Sequence, residues 1–225
     1  MINVAIDGPA GAGKSTIARK AAAELGYIYI DTGALYRTVG LFMMNSGVDT
    51  ADAAAVAAAL EQKPEVELQF LDGEQRMFLN GADVSAAIRT PEASMAASRV
   101  SAVPAVRAFL FELQKQLARE HDCIMDGRDI GTVVLPQAQV KIFLTASPEA
   151  RAERRYLELI EKGMDVNYDD VLADMKERDY NDSHRAIAPL KPAEDAVLLD
   201  TSGNTLEESV ALVLSTIREQ LSKKQ

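Results

Sequence analysis

Eight residues near the start of the chain, Gly8-Pro9-Ala10-Gly11-Ala12-Gly13-Lys14-Ser15, have the types and spacing to hold a polyphosphate. They spell G-x-x-x-x-G-K-[ST], the phosphate-binding loop. Glycines let such a loop curl until successive backbone N–H groups converge on phosphate oxygens. The helix that follows adds its unsatisfied first-turn donors and the positive end of its dipole. Lys14 can then reach the β- and γ-phosphates, and the Ser15 hydroxyl suits Mg²⁺. The apolar run Ile2 to Ile6 before the loop and the helix pattern Thr16 to Leu25 after it supply the strand–loop–helix setting. That setting separates the motif from an ordinary glycine-rich turn. A nucleoside triphosphate is the expected ligand.

Arginine is the second chemistry-bearing set. Arg37, Arg107, Arg128, Arg178 and Arg185 fall beside chain turns or strand ends, and Arg151, Arg154 and Arg155 stack on one helix. The planar guanidinium gives a phosphate two parallel charge-assisted hydrogen bonds. Arg19, Arg119 and Arg218 read instead as solvated surface charge. A second, phosphorylated substrate facing the triphosphate accounts for the gathering. The chain has no Asn-Lys-x-Asp guanine-reading segment, and the apolar run before Asp126 is followed by Gly-Arg-Asp rather than the paired acids of a motor ATPase. The residues by themselves leave open the acceptor of a small kinase, shikimate and UMP included, and also a nucleotide-binding switch.

The elements that must position these groups follow from composition and pattern. The chain has 225 residues, 48% hydrophobic and 26% charged, enough for one α/β domain with a large core. Its 34 acidic and 24 basic residues leave a formal net charge of -10, which argues against nucleic acid or anionic membrane as a partner. The lone Cys123 sits in an apolar run and permits no disulfide framework, as suits a reducing cytoplasm. The sequence opens on a core strand, with no signal peptide expected and no apolar run of membrane-spanning length.

Strands are expected at Ile2 to Ile6, Tyr27 to Ile30, Cys123 to Met125, Val140 to Leu144 and Ala196 to Leu199, alternating with helices. That order predicts a mostly parallel, doubly wound sheet with ligands beyond the carboxyl ends of the strands. Helices are expected from Ala34 to about Asn45, over an exposed alanine-rich stretch within Asp49 to Gln62, from Pro91, from Pro104 to about His121, from Pro148 to near Gly163, over about Asp169 to Asp179, and from Leu206 to about Leu221. Between Lys63 and Arg89 the period changes to strand alternation, with turns at Asp72-Gly73 and Asn80-Gly81, so a small antiparallel sheet is expected as an insertion. A loop is expected from Ile130 to Gln139.

The set GPAGAGKST (Gly8 to Thr16), DTGALYR (Asp31 to Arg37), Ile88-Arg89-Thr90, DGRDIGTVV (Asp126 to Val134) and Lys176-Glu177-Arg178-Asp179 leading to Arg185-Ala186-Ile187-Ala188-Pro189-Leu190 resembles the bacterial cytidylate kinases, within the nucleoside monophosphate kinases. The resemblance runs from Ile2 to about Asp200. It implies a phosphate-loop fold with a five-stranded parallel sheet, a single kinase domain over 1–225, with core segments 1–62, 103–147 and 180–225, an acceptor-binding insert at about 63–102 and a helical lid at about 148–179. It further implies Mg²⁺-dependent transfer of a phosphoryl group from ATP to CMP or dCMP by a cytoplasmic monomer.

The same resemblance implies site residues. ATP falls to Gly8, Pro9, Ala10, Gly11, Ala12, Gly13, Lys14, Ser15 and Thr16, with Arg151 and Arg155 from the lid, and Mg²⁺ to Ser15. CMP falls to Thr32, Tyr36, Arg37, Ser98, Arg107, Arg128, Asp129, Arg178, Asp182 and Arg185. Of these, Arg37, Arg128 and Arg185 take the phosphate, Ser98, Arg107 and Asp129 the cytosine, and Arg178 and Asp182 the sugar. Lys14, Arg37, Arg128 and Arg155 are the expected catalytic set. Thr32 stands where some relatives have Ser, which keeps the hydroxyl. His184 is expected to be an exposed loop residue.

Overall fold

The computed structural model describes residues 1–71 and 73–224. Its largest sheet has five parallel strands in the order β2-β6-β1-β7-β8. These are β1 (Asn3–Asp7), β2 (Ile28–Asp31), β6 (Cys123–Gly127), β7 (Val140–Thr145) and β8 (Val197–Asp200). β1 lies at the centre, with Asn3 to Asp7 paired to Cys123 to Gly127 on one side and Val4 to Asp7 paired to Val140 to Phe143 on the other. Strands covered on both faces need apolar side chains throughout, which is why β1 and β6 read as continuous runs.

By chain contacts the protein divides into two compact units, one of residues 1–29 with 121–225 and one of residues 30–120. In the first, α1 (Lys14–Leu25) and α8 (Leu206–Ser222) cover the strands. Val4, Ile6, Ile124, Val140, Ile142 and Leu144 pack there with Ile17, Ala21, Val213 and Ile217. Each fully buried aliphatic side chain contributes about 1.5–3 kcal/mol. The helix ends follow local chemistry: α1 stops at Gly26 in the left-handed conformation, and Thr205 with Glu208 forms a reciprocal cap on α8. Ser147 caps α6 (Pro148–Glu161), which packs against α7 (Tyr168–His184). Cys123 is buried, as expected.

The second unit holds α2 (Thr32–Asn45), α3 (Ala53–Leu60), α4 (Pro91–Val100) and α5 (Pro104–Glu120). Its antiparallel sheet has the order β3-β4-β5, from β3 (Val66–Leu71), β4 (Glu74–Leu79) and β5 (Ala82–Asp83). Asn80 and Gly81, both at positive φ (50 and 79), make the tight turn between β4 and β5. Asp72 of the expected Asp72-Gly73 turn lies outside the described residues; Gly73 has φ 78. Gly40 lets α2 and α4 touch, since a Cβ there would stand 2.9 Å from the Ala96 Cβ.

Four expectations need correction. α2 begins at Thr32, two residues early, because the Asp31 carboxylate accepts the Ala34 N–H and caps the helix. The alanine-rich helix is not simply exposed: Val56, Ala59 and Leu60 are buried. α7 runs to His184 rather than Asp179, so Asp182, Ser183 and His184 are helical, although His184 is solvent-exposed as expected. The stretch expected as a loop after Asp129 starts with one π-helical turn, Ile130–Val134.

Candidate active site

β1 carries the chain to Asp7 and releases it into the glycine loop. Gly8 has φ 151, and a Cβ there would lie 1.9 Å from the Leu144 carbonyl oxygen on β7, so only glycine fits. Gly11 and Gly13 also have positive φ, and Gly13 caps α1 without any side-chain bond, leaving the first-turn N–H groups to a ligand. Lys14 is buried and donates from Nζ to the Pro9 carbonyl at 2.8 Å. Burial, aided by the Arg128 charge, pushes its ammonium down to about 7, while Asp126, Asp7 and Asp182 oppose that. A desolvated cation folded back over its own loop is poised for an anion.

The Ser15 hydroxyl donates to Asp126 Oδ2 at 2.9 Å, and the Tyr29 hydroxyl donates to Asp126 Oδ1 at 3.0 Å. Asp126 sits near the end of β6, parallel to β1, so the strand register itself brings it to the loop. Neither it nor Tyr29 is among the expected site residues; an apolar strand ending in an acid beside a phosphate loop is the signal in the sequence. Asp7 is likewise absent from the expected site. It is buried, and its carboxylate accepts the N–H groups of Ile130 and Gly131 at 2.8 and 2.7 Å.

In the same unit the structure brings Arg128, Asp129, Arg178, Asp182 and Arg185 together. Arg128 Nε donates to Asp182 at 2.9 Å, and Arg185 Nη2 to Asp129 Oδ1 at 3.2 Å. Arg178 and Asp182 are four residues apart on α7 and so share a face. Burial would push the Asp182 carboxyl up, but the charge and hydrogen bond of Arg128, with Arg178 and Arg185, hold it below the usual range. Asp129 and Arg185 are nearly buried, their side chains 6% and 8% exposed. A cluster of three guanidiniums and two carboxylates carries one excess positive charge, suited to an anion.

Arg151, expected over ATP, is buried. It donates to the carbonyls of Ala146 (2.9 Å) and Ala10 (2.8 Å) and makes a bidentate pair with Asp179. It thereby ties α6 and α7 to the phosphate loop. Arg154 binds the Thr201 carbonyl, and half-exposed Arg155 pairs with Glu158. An open depression of about 390 Å³ beside Arg151 is lined by Pro9, Thr145, Ser147, Asp179 and Asp200, among others.

In the other unit, Thr32 is buried and Tyr36, Arg37, Ser98 and Arg107 are half-buried. Arg37 Nη2 donates to Asp31 Oδ2 at 2.7 Å, and Gln75 of β4 bonds both the N–H and the C=O of Asp31. Arg107 lies over the Tyr36 ring, 5.8 Å from its centre, and donates to the Ser101 carbonyl. The Ser98 carbonyl accepts the Ser101 hydroxyl. Asp31, absent from the expected site, is both the helix cap and the partner of Arg37.

Among the described residues no helix is long and apolar enough to cross a membrane, and no three His, Cys, Asp or Glu side chains form a metal-binding group.

Comparison with known proteins agrees with the motifs. The cytidylate kinase family model matches residues 4–219. A curated cytidylate kinase of Lactobacillus gasseri is 51% identical over 220 residues, covering 98% of this chain and 95% of that protein. One from Pasteurella multocida is 47% identical over 225 residues, covering 99% and 98%. Among solved structures, an uncharacterized protein from Eubacterium ventriosum matches with a TM-score of 0.51 at 11% identity, covering 97% and 99% of the two chains, which is a likeness of fold alone. With a family match across nearly its whole length and relatives at about half identity, this chain belongs to the cytidylate kinase family.

Proposed function

We propose that the chain transfers the γ-phosphoryl group of ATP to CMP and dCMP, yielding CDP and dCDP, as a cytoplasmic monomer. The observation that carries this reading is the family match over residues 4–219 joined to a phosphate loop whose buried lysine donates to that loop's own Pro9 carbonyl. The backbone of Gly8 to Thr16 cradles the ATP phosphates, and Lys14 stabilises the group in flight. Ser15 and Asp126 offer a hydroxyl and a carboxylate 2.9 Å apart, hard oxygen donors that fit Mg²⁺. When bound, Mg²⁺ neutralises charge on the phosphates. Two protein oxygens suffice for it, since Mg²⁺ keeps waters and substrate phosphates as its other ligands.

On the acceptor side, the CMP phosphate falls to Arg37, Arg128 and Arg185. Thr32 and Tyr36 support it, and Arg178 and Asp182 take the sugar. Arg155, with Arg151 anchoring its helix, completes the donor side, and residues 148–179 act as the lid. No general base is needed, because the CMP phosphate is already an anionic nucleophile; positioning and charge stabilisation suffice. Ser98, Arg107 and Asp129 read the base. A carboxylate only accepts and a guanidinium only donates, which matches the amino group, N3 and O2 of cytosine and opposes the C4 carbonyl and N3–H of uracil.

The test is ADP release across CMP, dCMP, UMP, AMP and shikimate, in wild type and in Asp129→Ala. CMP and dCMP are expected to stimulate release, with discrimination against UMP approaching ~10⁴. Asp129→Ala should collapse that ratio through loss on CMP. Stimulation by shikimate or AMP alone, or by none of the panel, overturns the substrate reading. An equal fall on CMP and UMP makes Asp129 only the partner of Arg185.

A further inference from the structure

Asp7 closes β1 and directly precedes Gly8. In the sheet register it stands opposite Gly127, the last residue of β6, so the backbone ladder between these strands ends there. Beyond that point the chain turns through Arg128 and Asp129 into the π-helical turn. The Asp7 carboxylate continues the connection where the backbone cannot, taking the N–H groups of Ile130 (2.8 Å) and Gly131 (2.7 Å) across more than 120 residues of sequence. Gly131 leaves just enough room: a Cβ on it would lie 3.3 Å from Asp7 Oδ2 and 3.2 Å from the Lys141 side chain on β7.

A carboxylate is a costly way to fill this spot. Asp7 is 4% exposed, and among the described residues its carboxylate is held by the Ile130 and Gly131 N–H groups rather than by a salt bridge. Burial pushes its carboxyl up to about 6; the two backbone N–H bonds and Lys14 pull the other way, and Asp129 adds to the rise. A neutral side chain would fold at lower cost. What the carboxylate supplies is two acceptors in a fixed plane, one for each of two adjacent N–H groups.

We propose that Asp7 is a positioning residue of the kinase reaction, locking the Arg128-Asp129 segment to the Gly8–Ser15 loop so that the acceptor-binding side chains keep a fixed place relative to Lys14. The inference rests on the reading that Arg128 and Asp129 bind CMP. Asp7 touches no substrate; it acts through the backbone of residues 130 and 131. Asn keeps its shape yet can accept only one of the two N–H bonds and turns a donor toward the other.

In Asp7→Asn, KM for CMP should rise by about tenfold and kcat should fall by about tenfold, with affinity for a non-hydrolysable ATP analogue within about threefold of wild type. The amide NMR signals of Ile130 and Gly131 in the wild type should titrate together with the carboxylate they bind, near pH 6, and those titrations should vanish in Asp7→Asn. Gly131→Ala crowds the same link from the other side and should raise KM for CMP by at least about threefold, which covers the case in which Asp7→Asn does not fold. The proposal falls if CMP turnover by the folded variants matches wild type, if ATP-analogue affinity drops in parallel with CMP, or if the two amides stay flat between pH 4 and 8. If wild-type enzyme shows no CMP-stimulated ADP release, the substrate reading falls instead, and the amide titration still decides whether Asp7 holds the segment.

Discussion

Replacing Asp7 by Asn should make the stability of the variant relative to the wild type rise with pH, whatever constant cost the lost hydrogen bond adds. The carboxyl is raised from 3.8 to about 6 in the folded protein, chiefly by burial. A group whose folded value lies above its unfolded value binds its proton more tightly in the native state. It therefore favours folding below pH 3.8, and that contribution disappears as the pH rises through about 6. Two units at about 1.4 kcal/mol each give about 3 kcal/mol in all, of which about 2.5 kcal/mol is lost between pH 4 and pH 7.5. Asp7→Asn has nothing to titrate there. The stability of the variant minus that of the wild type should climb by about 2.5 kcal/mol over that interval. The hydrogen bond that Asn cannot accept costs about 1–3 kcal/mol at every pH, so it moves the height of the difference curve and leaves its slope alone. Groups with the opposite behaviour, such as Asp182, are common to both proteins and cancel. Urea unfolding at five or six pH values measures the curve. A flat difference, or one that falls as pH rises, would refute the reasoning, because the Asp7 carboxylate would then be no harder to ionise in the fold than in the open chain.

Lys14→Ala removes the one buried cation of the phosphate loop and should lower kcat for CMP by at least about 100-fold; turnover within a few-fold of wild type would remove Lys14 from the mechanism. Gly8→Ala places a Cβ 1.9 Å from the Leu144 carbonyl. Strain and displacement of β1 against β7 should cost about 3 kcal/mol or more, and a melting temperature and ATP-analogue affinity like those of wild type would show that the loop does not need this glycine.

The parts legible in the sequence are those set by local chemistry. Glycine at positive φ, a Lys-Ser pair and a flanking strand and helix define the phosphate loop without reference to anything distant. Asn80-Gly81 fixes its turn, Ser147-Pro148 starts its helix, and Gly26 ends another, each within a few residues. Strands buried on both faces announce themselves as apolar runs. The misjudged boundaries were all settled by side chains. Asp31 pulls the start of α2 back to Thr32 by accepting the Ala34 N–H. The last turn of α7 is held from afar, through Arg128 and Asp182, 54 residues apart. Arg151 looked like its neighbours Arg154 and Arg155 in sequence; helical spacing alone could not say that it faces inward, onto Ala10 and Asp179.

Acidic residues at strand ends were visible as polar clusters, but their functions depend on what each one meets. Asp7 and Asp182 belong to the same unit and are both buried, yet their carboxyls shift in opposite directions. Burial raises both. Asp7 is answered by two backbone dipoles and a lysine, which are not enough; Asp182 is answered by the Arg128 guanidinium with Arg178 and Arg185 behind it, which is more than enough. A guanidinium brings a full charge, whereas each amide brings a partial one. The consequence is an order of events as pH falls. Asp7 takes its proton first, near pH 6, and the link to residues 130 and 131 loosens while Asp182 still holds Arg128. The stabilisation from Asp182 is complete above pH 3.8 and is lost only on passing below it. The loop carrying Arg128 and Asp129 is thus held at two points that yield at different pH, one by backbone and one by side chain. The backbone point is the one set next to the phosphate loop.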